Sequence, residues 1–265
     1  EFFESIYYYM NGNSKTFKIV KKNIFNSNKI KFINSGNNVS QILTKERFIE
    51  NYSSARLFQV NSNQKIFNNL KEKKKFEHEF LKKVVSYKNI IIFDYGHGYI
   101  DTKFAAKFNK LKKNFFINCQ TNSYNFGFNL FTKYNKSEIL CIDETEFRLT
   151  IQDKENPIKF LLLKNIKLLN KHKIFIVTSG ANGCYVLSNK EVFFVPAVFK
   201  TTLDTTGCGD VFFSSFVYFY LQKKFNLREI SFLSHLAAGL HGLDRGNKNI
   251  VKKNNFFQTA QSVLK

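Results

Sequence analysis

Asp204 to Leu221 reads DTTGCGDVFFSSFVYFYL, and the fold is decided by how this stretch is understood. A loop holding two carboxylates and two glycines opens directly into an apolar helix. Such a loop leaves the amides of Gly207, Cys208 and Gly209 at a helix N-terminus, where orphan N–H groups and the macrodipole favour an anion. It is therefore read as a phosphate-receiving site. Phosphoryl transfer also needs a base beside the acceptor hydroxyl, and Asp210, at the head of the helix, is placed for that task. Asp204 and Thr205 are read as residues that shape the loop.

Outward from this stretch, GCYVL (183–187) and EVFFV (191–195) are separated by the short polar turn Ser188 to Lys190, the pattern of an antiparallel hairpin at a sheet edge. Further upstream, NIIIF (89–93), NFFIN (114–118), EILCI (138–142) and KIFIVT (173–178) read as buried strands. Between them lie TKFAAKFNKLKK (102–113), which Asp101 can cap, and Ile158 to Leu169, with helical spacing of apolar residues. Downstream, helices are expected at Asp210 to Gln222 and Leu227 to Leu243, then an amphipathic segment from Asn254. This alternation from Tyr87 onward predicts an α/β fold with a parallel sheet covered on both faces. Before it, TFKIV (16–20) and KIKFI (29–33) suggest strands and Gln64 to Val85 a helix, diluted by Asn and Lys.

At DTTGCGD the chain resembles the DTxGAGD signature of the PfkB-type, ribokinase-like carbohydrate kinases, with Cys208 where Ala is usual. The resemblance implies a three-layer αβα sandwich with a mostly parallel central sheet and an antiparallel edge hairpin. It also implies ATP and Mg²⁺ as cofactors, Asp210 as the base and Gly207 to Gly209 as the anion hole. Thr178 to Gly183, TSGANG, resembles the family's TxGxxG turn against the nucleotide, with Thr178, Gly180 and Gly183 as the matching residues. Standing alone, that turn fits equally well an ordinary turn before a hairpin. DETE (143–146) resembles the NxxE motif, whose glutamate, Glu146 here, acts on Mg²⁺ through water; Asp143 replaces the usual Asn. The same acids can instead cap the helix that follows. Gly246 and Asn247 resemble a segment bordering the adenine pocket.

FDYGHG (93–98) and NCQTNSYNFGFN (118–129) resemble segments of the kinase domain in the bifunctional heptose 7-phosphate kinase and heptose 1-phosphate nucleotidyltransferase group. That group has DYxKG and DPKG there, so His97 stands for Lys and Asn118 for Asp. The resemblance marks Asp94, His97 and Asn118 as substrate contacts; His97 either touches a substrate phosphate or caps a turn. It implies a sugar or sugar-phosphate acceptor, and it leaves room for a homodimer and for a nucleotidyltransferase domain in the full natural chain. The alternatives are a nucleoside or vitamin kinase of the same fold, or a catalytically weak nucleotide-binding remnant. No GG dipeptide occurs, and the family's GGxxxN segment is not found; with Glu1 in first place, the expectation is a single kinase domain over 1–265 lacking its N-terminal part. Residues 1–85 would be a partial acceptor-side or lid region and 86–265 the catalytic core.

The formal charge of +21 invites a nucleic-acid reading, since a positive field draws polyanions. Lys is spread along the whole chain with Asn, Ile and 32 Phe, the skew of an AT-rich coding sequence, and no basic tail or Arg-rich motif concentrates it. No nucleic-acid partner is expected. The four cysteines form no CxxC pair and the five histidines no ligand spacing, so neither a zinc site nor a disulfide framework is indicated. No apolar stretch approaches the roughly 20 residues of a membrane span, and the first residues lack a signal peptide's pattern. The expected setting is the cytoplasm.

Overall fold

The computed structural model describes residues 6–10, 30–34, 45–50, 56–61, 67, 69–121, 125–245 and 249–264. The chain forms two compact units, Glu1–Ser86 and Tyr87–Lys265. In the first, β1 (Ile6–Met10) pairs in parallel with β2 (Ile30–Asn34), and β3 (Lys45–Ile49) pairs antiparallel with β4 (Arg56–Asn61). The expected strand KIKFI is thus present as β2, while TFKIV lies outside the described residues. Helix α1 (Leu70–Val84) starts later than Gln64, because Asn69 caps it by accepting the Glu72 amide at 3.0 Å.

The second unit is built on a six-stranded sheet in the order β10-β9-β8-β7-β6-β5. Along the chain run β5 (Asn89–Asp94), α2 (Thr102–Phe108), β6 (Asn114–Cys119), β7 (Ser137–Asp143), α3 (Glu144–Ile151), α4 (Ile158–Lys164), α5 (Ile166–Leu169) and β8 (His172–Thr178). Then come β9 (Gly183–Ser188), β10 (Glu191–Pro196), α6 (Cys208–Gln222), α7 (Leu227–Gly242) and α8 (Lys253–Val263). Strands β5 to β8 are parallel; β9 is antiparallel to both β8 and β10. The hairpin at the sheet edge is where the sequence placed it.

Alternation along the strands sends their side chains to two covered faces. Phe116, Ile139, Cys141, Ile174, Ile176 and Val186 pack with Phe212, Phe213, Phe216 and Val217 of α6. On the opposite face, Phe115 stacks on Phe108 of α2, and Phe175 meets Phe147 of α3 and Phe131. Helix on sheet on helix makes three layers.

Two expected helices are shorter than their apolar spacing suggested. Helix α2, capped by Asp101 through the Phe104 amide at 2.7 Å, ends at Phe108 instead of Lys113. The next amides turn back to Lys107 and Phe108 carbonyls, since the polar run Asn109 to Lys113 has little to bury before β6. Ile158 to Leu169 divides at Asn165, whose side-chain amide donates to the Leu161 carbonyl at 2.9 Å. Among the described residues, no helix is long and apolar enough to cross a membrane.

Candidate active site

The DTTGCGD loop is fixed from two sides. Gly207 stands at the N-cap of α6 in the left-handed region, φ 79°, a conformation that a Cβ would strain. Within the loop, the Asp204 carboxylate accepts the Thr206 amide at 2.9 Å. The Gly242 carbonyl at the end of α7 accepts the amides of Leu203 (2.8 Å) and Asp204 (3.1 Å), and His241 Nε2 lies 3.1 Å from the Thr206 carbonyl. A Cβ on Gly239 or Gly242 would fall within 3 Å of Phe199 or Thr202, so these two glycines let the incoming loop lie against α7.

The anion-facing end of α6 is formed by first-turn amides that have no acceptor inside the helix. The Cys208 amide is drawn back to the Thr205 carbonyl at 3.2 Å. A Cβ on Gly209 would meet no atom within 4 Å, so the chain is open on that side. The Cys208 thiol points away from it, donating to the Asp204 carbonyl at 3.6 Å, and burial pushes its pKa up. This residue offers backbone rather than a nucleophile.

Asp210 meets the sheet through Gln120, the residue after β6. Gln120 Nε2 donates to Asp210 Oδ1 at 2.8 Å and to Asn118 Oδ1 at 2.7 Å. The next amide, that of Thr121, donates to Glu146 Oε1 at 2.6 Å. Asp210 and Glu146 are therefore joined by one two-residue segment. Glu146 Oε2 accepts the Asp143 amide at 2.9 Å while Asp143 accepts that of Glu146 at 2.8 Å, a capping box on α3. Burial first, and the Asp143 charge second, raise the Glu146 pKa to about 7, against the pull of its two backbone donors.

The remaining residues singled out from the sequence fall at the same strand ends or just below. Thr178 pairs in register with Asp143 across β8 and β7. Gly180 opens a short 3-10 turn, and a Cβ there would meet nothing within 4 Å. At Gly183, φ 135°, a Cβ would lie 2.1 Å from the Val195 carbonyl oxygen, so this glycine serves the close approach of β10. His97 lies in the loop after β5, its ring 6.4 Å from that of Tyr95. Asn247 lies outside the described residues.

Asp94 and Asn118 are buried, at 6% and 4% exposure, beneath the open site. Asp94 pairs with Lys133, accepts Tyr134 Oη at 2.7 Å and the Gly96 amide at 3.1 Å, and faces Asn129 Nδ2 at 3.4 Å. Lys133 also donates to the Ile100 carbonyl and to Asn129 Oδ1. Its charge is thereby compensated inside the protein. Asn125 bonds the Gly96 carbonyl, tying FDYGHG to NCQTNSYNFGFN. Sequence reasoning missed Gln120, Asn129, Lys133 and Tyr134. The only signal was their place in or beside a segment already under suspicion, because a lysine among 41 Lys and Arg carries no mark of burial.

Among the described residues no three His, Cys, Asp or Glu side chains converge as a protein-only metal cage. A Mg²⁺ ion carried on nucleotide phosphates requires only one or two carboxylates and its own waters, which Glu146 and Asp143 fit.

Comparison with known proteins gives the same picture. Residues 103–251 match the family described as pfkB family carbohydrate kinase. The sugar kinase PH1459 of Pyrococcus horikoshii is 27% identical over 133 residues, 49% of this chain and 43% of its own length. The bifunctional protein HldE of Aliarcobacter butzleri is 24% identical over 211 residues, 76% of this chain and 40% of that protein. The chain thus matches less than half the length of these curated relatives. Among solved structures, phosphofructokinase-2 of Escherichia coli in complex with potassium superposes with a TM-score of 0.72 at 11% identity, covering 98% of this chain and 83% of that one. Arabidopsis thaliana ribokinase complexed with ribose and ATP gives 0.69 at 13%, covering 96% and 81%. The fold is ribokinase-like.

Proposed function

The chain belongs to the pfkB family of carbohydrate kinases, and from that premise we propose that it transfers the γ-phosphoryl group of ATP to a hydroxyl of a sugar or sugar phosphate. The observation that carries this reading is that the segment Gln120–Thr121, just after β6, bonds Asp210 at the glycine end of α6 through Gln120 and Glu146 of α3 through the Thr121 amide. Asp210 takes the proton of the acceptor hydroxyl as the bond to phosphorus forms. The Gly207–Gly209 end of α6 receives the transferring phosphoryl group, where the helix N-terminus favours an anion and the Cβ side of Gly209 is open.

The nucleotide lies along the turn 178–183, whose Gly180 leaves room for it. Mg²⁺, when bound, neutralises charge on the phosphates. Glu146 would hold the ion through water, and a cation there would favour the ionised form of this carboxylate. A sugar-phosphate acceptor of the heptose kind is supported by the FDYGHG and NCQTNSYNFGFN segments and by the similarity to HldE.

The test is Asp210→Asn, which keeps size and most packing while removing the base. Turnover of MgATP against a panel of sugars and sugar phosphates should fall by about 10²- to 10⁴-fold, while nucleotide affinity stays within a few-fold. Near-wild-type turnover in the variant would sink the assignment.

A further inference from the structure

We propose that Gln120 is a positioning residue that sets the plane of the Asp210 carboxylate, and that Asn118 and the buried Asp94 cluster in turn hold Gln120. The inference rests on Asp210 being the base. Gln120 has two amide hydrogens, and both are spent: one on Asp210 Oδ1 at 2.8 Å, the other on Asn118 Oδ1 at 2.7 Å. An ionised carboxylate only accepts, so the nitrogen end of the amide must face Asp210. Asn118 cannot turn freely either, because it is buried in β6, in register with Cys141 of β7.

The backbone of Gln120 is clamped as well. Its amide donates to the Asp94 carbonyl at 2.8 Å, and its own carbonyl accepts Asn129 Nδ2 at 2.8 Å. Asn129 and Asp94 both bond the buried Lys133, which anchors Asn129, Asp94 and Lys133 as one rigid base. The chain from Lys133 to Asp210 thus carries the rigidity of the core to the first turn of α6. With one carboxylate oxygen fixed, the direction in which the other accepts a proton is fixed too, and a reaction of this kind loses steeply with misorientation. Other acids of the neighbourhood are Glu146, reached through the Thr121 amide, and Asp204 at the start of the loop.

The experiment compares Gln120→Leu, Gln120→Glu and Gln120→Lys with the wild type. One measurement is turnover of MgATP with ribose, fructose 6-phosphate, sedoheptulose 7-phosphate and water as acceptors. The other, independent of activity, is the pH titration of the Asp210 carboxyl carbon by NMR, assigned by its loss in Asp210→Asn. Gln120→Leu should lower kcat about 10- to 100-fold with KM for MgATP moved less than about 3-fold. Gln120→Glu should raise the Asp210 titration, since a second carboxylate at this distance disfavours its ionisation, and Gln120→Lys should lower it. An Asp210 titration unchanged across the three variants overturns the proposal, whatever the turnover. If Asp210→Asn abolishes turnover but Gln120→Leu stays within about 2-fold of wild type, the positioning role fails while the base stands; if Asp210→Asn stays active, the base assignment itself fails.

Discussion

The Glu146 carboxylate accepts the Thr121 amide at 2.6 Å and the Asp143 amide at 2.9 Å, yet burial and the Asp143 charge raise its pKa to about 7. The sign of the consequence follows from proton linkage. With an unfolded value of 4.5, the folded chain holds a proton on Glu146 that the unfolded chain releases between 4.5 and about 7. Its contribution to stability is complete below 4.5 and is lost as pH rises through 7. The loss is bounded by about 3 kcal/mol. Glu146→Gln removes the titration, so the wild type should lose stability relative to the variant between pH 4.5 and 8, read from urea unfolding without nucleotide. A difference independent of pH would contradict the burial argument. From the sequence, Glu146 was legible as a helix cap, and the capping box bears that out; the Thr121 amide that shares its carboxylate comes from a distant part of the chain and left no local mark.

Glycine-rich elements were the most legible feature, and the structure separates glycines that border open space from glycines that let chains approach. In TSGANG the two matching positions look alike, but Gly180 borders open space while Gly183 touches β10. Gly183→Ala would put a methyl 2.1 Å from the Val195 carbonyl oxygen at φ 135°, so it should destabilise the fold by about 2–3 kcal/mol. Gly209→Ala meets nothing and should leave the melting temperature nearly unchanged; on the proposed phosphoryl site the methyl would crowd the phosphate and lower MgATP affinity about tenfold or more. Calorimetry and a nucleotide titration on both variants decide the matter; equal stability losses would show that the two glycines do not differ in role. Strand positions, the edge hairpin and the head of α6 were readable because apolar runs and glycines mark them. The early ends of α2 and α4 were not, because they depend on where the chain must turn into the sheet. The buried Asp94, Lys133 and Tyr134 cluster was hidden too, because burial of a charge is a property of packing.

At the scale of the whole molecule, the formal charge of +21 supplies a competing explanation for any affinity toward phosphates. A diffuse positive field binds polyanions without regard to their shape and fades as salt screens it. The proposed site would behave differently, because the amides at the head of α6 and the turn at Gly180 would hold one phosphate chain in one place. MgATP at 100 times its dissociation constant should stabilise the folded chain by about 2.7 kcal/mol, which for a protein of this size is roughly 5–10 °C in melting temperature. The measurement sets MgATP beside heparin and pyrophosphate at matched ionic strength, in about 50 and 200 mM salt. Stabilisation by MgATP should persist at the higher salt and shrink when Gly209→Ala is used; heparin's should collapse with salt and ignore that substitution. If MgATP and heparin stabilise alike and fail together, the charge alone accounts for phosphate binding, and the reading of the α6 head as a phosphoryl site loses its footing.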